Sequence, residues 1–198
     1  MVAYPRWRMR RLDSLGARRV DLAITAVVLS VAAMAWFGWG QAEPPSGWSP
    51  VLAAGSVVSI AVALLSGVTS WRRRGDAGSM ENPAVRRAYQ WIVGTEIAAC
   101  LLGVAVLGAA GESRFLPAWI LLVVGLHFLP LARVFRIAEL YPAGVAVSLI
   151  ALAAAIAGAA TAVAPSTVAG AGGGLTCLIA AVFCLRRSRT AIQGEGGS

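Results

Sequence analysis

Lysine is absent from this chain, and histidine occurs once, at His127. A lone histidine excludes the HExxH zinc helix, and there is no GxSxG nucleophile elbow, so neither common hydrolase signature is present. No phosphate-binding P-loop, no GxGxxG and no TVGYG filter occurs, which argues against a self-contained ATP-driven pump or a potassium channel. Cysteine is scarce too: Cys100, Cys177 and Cys184 are odd in number, lack CxxC spacing and lie in apolar stretches. They support neither a disulfide framework nor a zinc knuckle and read as small apolar residues. Charge is the largest deficit, 13% of residues against 58% hydrophobic, where soluble domains average roughly 25% and 45–50%.

What is present falls in blocks. A membrane-spanning helix needs about 20 mostly apolar residues, and six such runs occur, at residues 20–40, 49–71, 89–110, 115–134, 141–163 and 165–185. The expected fold is an all-α integral membrane bundle of six transmembrane helices, a single domain over residues 1–198. The basic segment before the first run imitates a signal peptide, with Arg10-Arg11 as a twin-arginine mimic. The run is too long for an ordinary signal core and five more follow, so it is read as an uncleaved first helix.

The arginines supply the topology. They cluster at the ends of apolar blocks and form no stripe interleaved with exposed aromatics, so no nucleic acid is expected as a partner. Alternating crossings place the N-terminal segment, the second loop (Arg72, Arg73, Arg74, Arg86, Arg87), the fourth loop (Arg133, Arg136) and the tail (Arg186, Arg187, Arg189) on one side. Of the 17 basic residues only Arg114 falls on the other. By the positive-inside rule both termini are expected in the cytoplasm, and the second-loop arginines need no headgroup-binding role to explain them. Trp7, Trp71 and Trp91 fall at one set of span ends and Trp36, Trp39, Trp48 and Trp119 at the other, where indole rings favour the headgroup level.

Turn chemistry punctuates the blocks. Pro44-Pro45-Ser46-Gly47 and Ala164-Pro165-Ser166 make turns, the second so tight that helices five and six must be neighbours. Asn82-Pro83 matches an N-cap followed by proline at the first helical position, and Pro142 suits the start of helix five. Helices five and six are rich in small residues, and Gly170 and Gly174 form a GxxxG that marks a tight helix pair or an oligomer interface. The two halves of the chain show no convincing internal repeat.

Ionisable groups inside a span are costly to bury and are candidate functional residues. Two stand out: Glu96 in helix three and His127 in helix four. Their midpoint falls between Gly111 and Glu112, in the loop joining these antiparallel helices, so both should lie level, about a third of the way in from the cytoplasmic face. Facing each other, they can share a hydrogen bond that offsets desolvation. Pro130 denies the Leu126 carbonyl its usual helical partner beside His127. Thr95 adjoins Glu96, and Cys100 lies one turn beyond on the same helical face.

Three uses fit this group: a structural clamp, a proton-linked transport site, or a metal or membrane-enzyme site with Glu96, Cys100 and His127 as ligands. The metal reading lacks any ligand motif, and no cofactor is implied. Asp21, Arg133, Arg136 and Glu139 sit near the boundary and read as solvated or paired interfacial charges.

The segment Gly125-Leu126-His127-Phe128-Leu129-Pro130-Leu131-Ala132 resembles one found in small uncharacterised bacterial multi-pass integral membrane proteins. That resemblance implies a membrane bundle and no reaction. Arginine-only basic usage and Ala/Gly richness fit a GC-rich bacterial genome, which gives an expected location in the cytoplasmic (inner) membrane. The expected activity is a small proton-linked transporter or solute permease. The alternative is a non-catalytic scaffold or accessory subunit, with lipid and either a second copy or a partner membrane subunit as its company.

Overall fold

The computed structural model describes residues 6–73, 75 and 78–190, and the side chains of these apart from residues 6–17 and 190. Arg74 and Asp76 of the second loop therefore lie outside the described residues, as do the side chains of Arg6, Trp7, Arg8, Arg10 and Arg11. Every regular element described is helical: α1 (Arg6–Gly40), α2 (Ser49–Arg72), α3 (Pro83–Ala109), α4 (Leu116–Phe135), α5 (Leu140–Ala160) and α6 (Pro165–Thr190), with single 3-10 turns at Ser79–Glu81 and Ser113–Phe115. Among the described residues six segments are long and apolar enough to cross a membrane. The chain is an all-α membrane protein. In hydrocarbon the backbone must satisfy its own hydrogen bonds, and a helix does so within one segment.

Proline marks where helices begin. Pro50, Pro83, Pro117, Pro142 and Pro165 all sit in first turns, where the missing N–H would have had no partner. Asn82 caps α3 as its sequence suggested, its side chain accepting from the Ala84 N–H at 2.9 Å. Only Pro130 lies inside a described helix. At the far ends, Gly47 takes a left-handed φ of 81° in a turn closed by the Trp48 N–H on the Pro45 carbonyl.

Helix α1 begins at Arg6, well before the span read from residue 20, and two later boundaries move as well. Helix α5 stops at Ala160 because Thr161 turns extended and its hydroxyl returns to the Ala157 carbonyl at 2.7 Å. Helix α6 continues through the tail arginines to Thr190.

The bundle is organised around α6. Its broadest interface is with α1, it also packs on α5, and it touches α4 and α2. The remaining neighbours are α1 with α2, α4 with α5, and α3 with α4. The GxxxG acts within the chain: a Cβ at Gly170 would lie 2.4 Å from the Gly40 Cα, and one at Gly174 would lie 2.9 Å from the Phe37 ring. Around the same helix Gly172 meets Ile150 of α5 and Gly173 meets Leu121 of α4. Small residues let these backbones approach closely, which is how helices associate where lipid is as apolar as the side chains. Helices α4 and α5 close in the same way, a Cβ at Gly144 falling 2.8 Å from the Gly125 carbonyl oxygen.

Helix α3 is the exception. Gly103 is its one buried residue, and its described packing partners are α4 and the short 3-10 turns. Trp119 of α4 fills the notch over Gly103 and donates its indole N–H to the Ala99 carbonyl at 3.0 Å. Trp119 thus staples two helices, and Trp36, 6% exposed and stacked on Trp39, packs inside the bundle. The amphipathic ring that suits a headgroup layer is also a large packing body with one donor to satisfy.

Candidate functional site

Glu96 occupies the middle of α3, and His127 lies in α4 three residues before Pro130. The antiparallel α3–α4 pair brings them level, and His127 Nδ1 stands 3.2 Å from Glu96 Oε2. Their side chains are 9% and 22% exposed, respectively. The contact has ion-pair distance without hydrogen-bond alignment, and Nδ1 is buried with no hydrogen-bond partner. His127 Nδ1 is the only polar partner of the Glu96 carboxylate among the described residues. The backbone of Ile92, one turn before Glu96, also meets the imidazole.

This pair separates two cavities, and both residues line each of them. The first, about 410 Å³, lies between α1 and α3 with α4 as its floor, and runs from Asp21, Met80 and Tyr89 at the arginine-rich end towards Trp36. The second, about 470 Å³, lies on the other flank of the α3–α4 pair, bounded by Ile92, Trp119 and Pro130. Because Pro130 has no N–H, the Leu126 carbonyl beside this second cavity has no helical donor. Two ionisable side chains thus stand between two open spaces.

Thr95 lines the second cavity, but its hydroxyl is committed to the Trp91 carbonyl at 2.9 Å. Cys100 is half-buried and lines neither cavity. Among the described residues no group of three or more His, Cys, Asp or Glu side chains is placed to hold a metal. Glu96, Cys100 and His127 therefore do not form the ligand set weighed from sequence: the first two project from one helix, but only Glu96 turns to the imidazole.

One residue of the site escaped the sequence reading. Asp21, read from the sequence as a solvated or paired interfacial charge, is 6% exposed, and both of its carboxylate oxygens accept from Ser79: one from the N–H at 3.0 Å, the other from the hydroxyl. This contact pins the 3-10 turn before α3 to α1 and closes the end of the first cavity. The available signal was an acid at the start of an apolar run; nothing along the chain names Ser79 as its partner. Glu139 behaves as read, paired with Arg187 across the α5 and α6 ends.

Comparison of the chain with protein-family models, with curated proteins and with solved structures finds no match.

Proposed function

We propose that this protein is a small transporter that links passage of a solute to protonation of the Glu96–His127 pair. The observation that carries this reading is the position of the pair as the partition between two cavities. An imidazole titrates near neutral pH, and intramembrane carboxylate and imidazole groups that face water-accessible space are the usual parts of proton relays. A neighbouring cavity of a few hundred Å³ is the size that holds a small molecule. The arginine distribution supports a multi-pass protein of the bacterial cytoplasmic membrane with both termini inside the cell, in keeping with the resemblance of the 125–132 segment.

The test is reconstitution in liposomes with a trapped pH-sensitive dye, external addition of a panel of sugars, amino acids, carboxylates and amines, and comparison with Glu96→Gln and His127→Gln. Proton movement that depends on one solute class, and that vanishes in Glu96→Gln protein of normal thermal stability, is the expected result. If no class moves protons and both substitutions only lower the unfolding midpoint, transport is wrong. A specific observation favours a second reading, accessory subunit, in that case: α3 leaves Ile97, Leu101, Leu102 and Val104 exposed along most of its length.

A further inference from the structure

Resting on the transport reading, we infer that the first cavity takes a lipophilic organic cation, an amphiphilic amine or onium compound, with its charge at Glu96 and its apolar body between α1 and α4. The walls set the apolar part. Val28, Leu29 and Trp36 of α1 face Phe128 and Phe135 of α4, with Met80 at the arginine-rich end. Aromatic faces of this kind attract organic cations through the ring quadrupole.

The ionisable groups set the charge. Those facing the cavity are Asp21 from α1, Tyr89 and Glu96 from α3 and His127 from α4, while α5 contributes Leu140 and the 3-10 turn Met80; among the described residues no arginine lines it. Asp21 is spoken for, since Ser79 supplies donors to both of its oxygens. Glu96 has no such donors and is left as the one carboxylate able to receive a cation. A carboxylate in an apolar wall without hydrogen bonds is poorly solvated, and a counter-ion that is itself weakly hydrated relieves this at least desolvation cost. Hard metal cations do not fit, because they require about six oxygen ligands and the cavity offers no such cage. Anions meet carboxylates on two walls.

The route of access agrees with the ligand. Helices α1 and α3 make no packed interface, and Ile24 and Val28, which line the cavity, are 46% and 61% exposed on the outer surface. The cavity thus opens sideways, where a molecule dissolved in the acyl layer can enter without crossing water. Exchange balances simply: as the cation settles on the Glu96 carboxylate, one proton carried by the Glu96–His127 pair leaves, and it returns when the cation departs. No other bond forms or breaks.

The experiment measures equilibrium binding of tetraphenylphosphonium to the full chain in detergent micelles, with tetraphenylborate as a probe of the same shape and opposite charge. Expected are saturable binding of the cation, weaker at low pH because protons compete for Glu96, and none of the anion. Glu96→Gln should weaken binding by about tenfold or more, the loss of a desolvated ion pair. Ala32→Phe, which fills the cavity and leaves the carboxylate in place, should weaken it independently of any folding defect at Glu96. Equal binding of both probes, or cation binding untouched in folded Glu96→Gln and Ala32→Phe proteins, overturns the inference. If tetraphenylphosphonium fails to bind while another solute drives Glu96-dependent proton flux in liposomes, the ligand class alone is wrong; if neither happens, the transport reading falls with it.

Discussion

Replacing Gly170 with alanine should loosen the interface that organises the whole bundle. The new Cβ would stand 2.4 Å from both the Gly40 Cα and the Gly40 nitrogen and 2.6 Å from the Trp36 carbonyl oxygen, whereas ordinary contact begins at 3.4 Å. All three obstacles are backbone, so no rotamer change relieves them, and α1 must shift from α6 by about 1 Å at the crossing. Residues with no exposure lie along both helices, Ala26 and Ala33 on one and Ala169, Cys177 and Ala181 on the other, which leaves little slack to absorb the shift. Overpacking of this sort costs about 1–3 kcal/mol. The control is Gly67→Ala in α2, where nothing lies within 4 Å; there the better helix former should be neutral or stabilising by about 0.5–1 kcal/mol. Unfolding by SDS in mixed micelles, followed by far-ultraviolet circular dichroism, measures both. Equal stability of the two variants would refute the close approach of α1 and α6.

Asp21→Ala should leave the Ser79 N–H without its acceptor and cost about 1–3 kcal/mol, releasing the turn before α3; limited trypsinolysis should then cut faster within Arg72-Arg73-Arg74, which carries the nearest cleavable bonds. Arg136 ends α4 in the left-handed region, with φ of 56°, and the following Ile137 N–H bonds the Ala132 carbonyl at 3.1 Å while its side chain is fully buried. Glycine suits that conformation without a Cβ penalty, so Arg136→Gly should raise stability by about 0.5–1 kcal/mol in the same denaturation assay.

Much of this architecture follows from the chain's composition because hydrocarbon leaves few choices. A run of twenty apolar residues in lipid must be helical, so span length and position could be read directly, and Asn82-Pro83 and Pro142 then located the first turns of α3 and α5. The level of Glu96 and His127 was equally legible, since a short loop between antiparallel helices makes depth a matter of counting outward from it. Local periodicity carries no partner information, and there the reading stopped. The GxxxG at Gly170 announced a close neighbour, but only the tertiary structure identifies it as α1, through Gly40 at the opposite end of the chain. Asp21 and Ser79 are likewise joined across the bundle by no pattern visible along the chain.

The cavities were invisible for a deeper reason: they exist where helices fail to meet. Apolar residues at positions such as Val28 and Val93 look the same in sequence whether they face a neighbouring helix, lipid or an internal space. What distinguishes the α1–α3 seam is that Asp21 and the 3-10 turn hold these helices together at the arginine-rich end alone, while Trp119 and Gly103 commit α3 to α4 on its other side. Helix α3 is thereby fastened on either side of Glu96, by these contacts and by the edge-on packing of Tyr89 and Phe135. A helix held so lightly can change its tilt without disturbing the α1–α6 core, and the group it carries past His127 is the one charge in the wall that nothing else satisfies. On the proposed transport reading, the lightness of α3 packing and the location of Glu96 on it are one feature: the element that would move to pass a solute is the one with least to lose by moving.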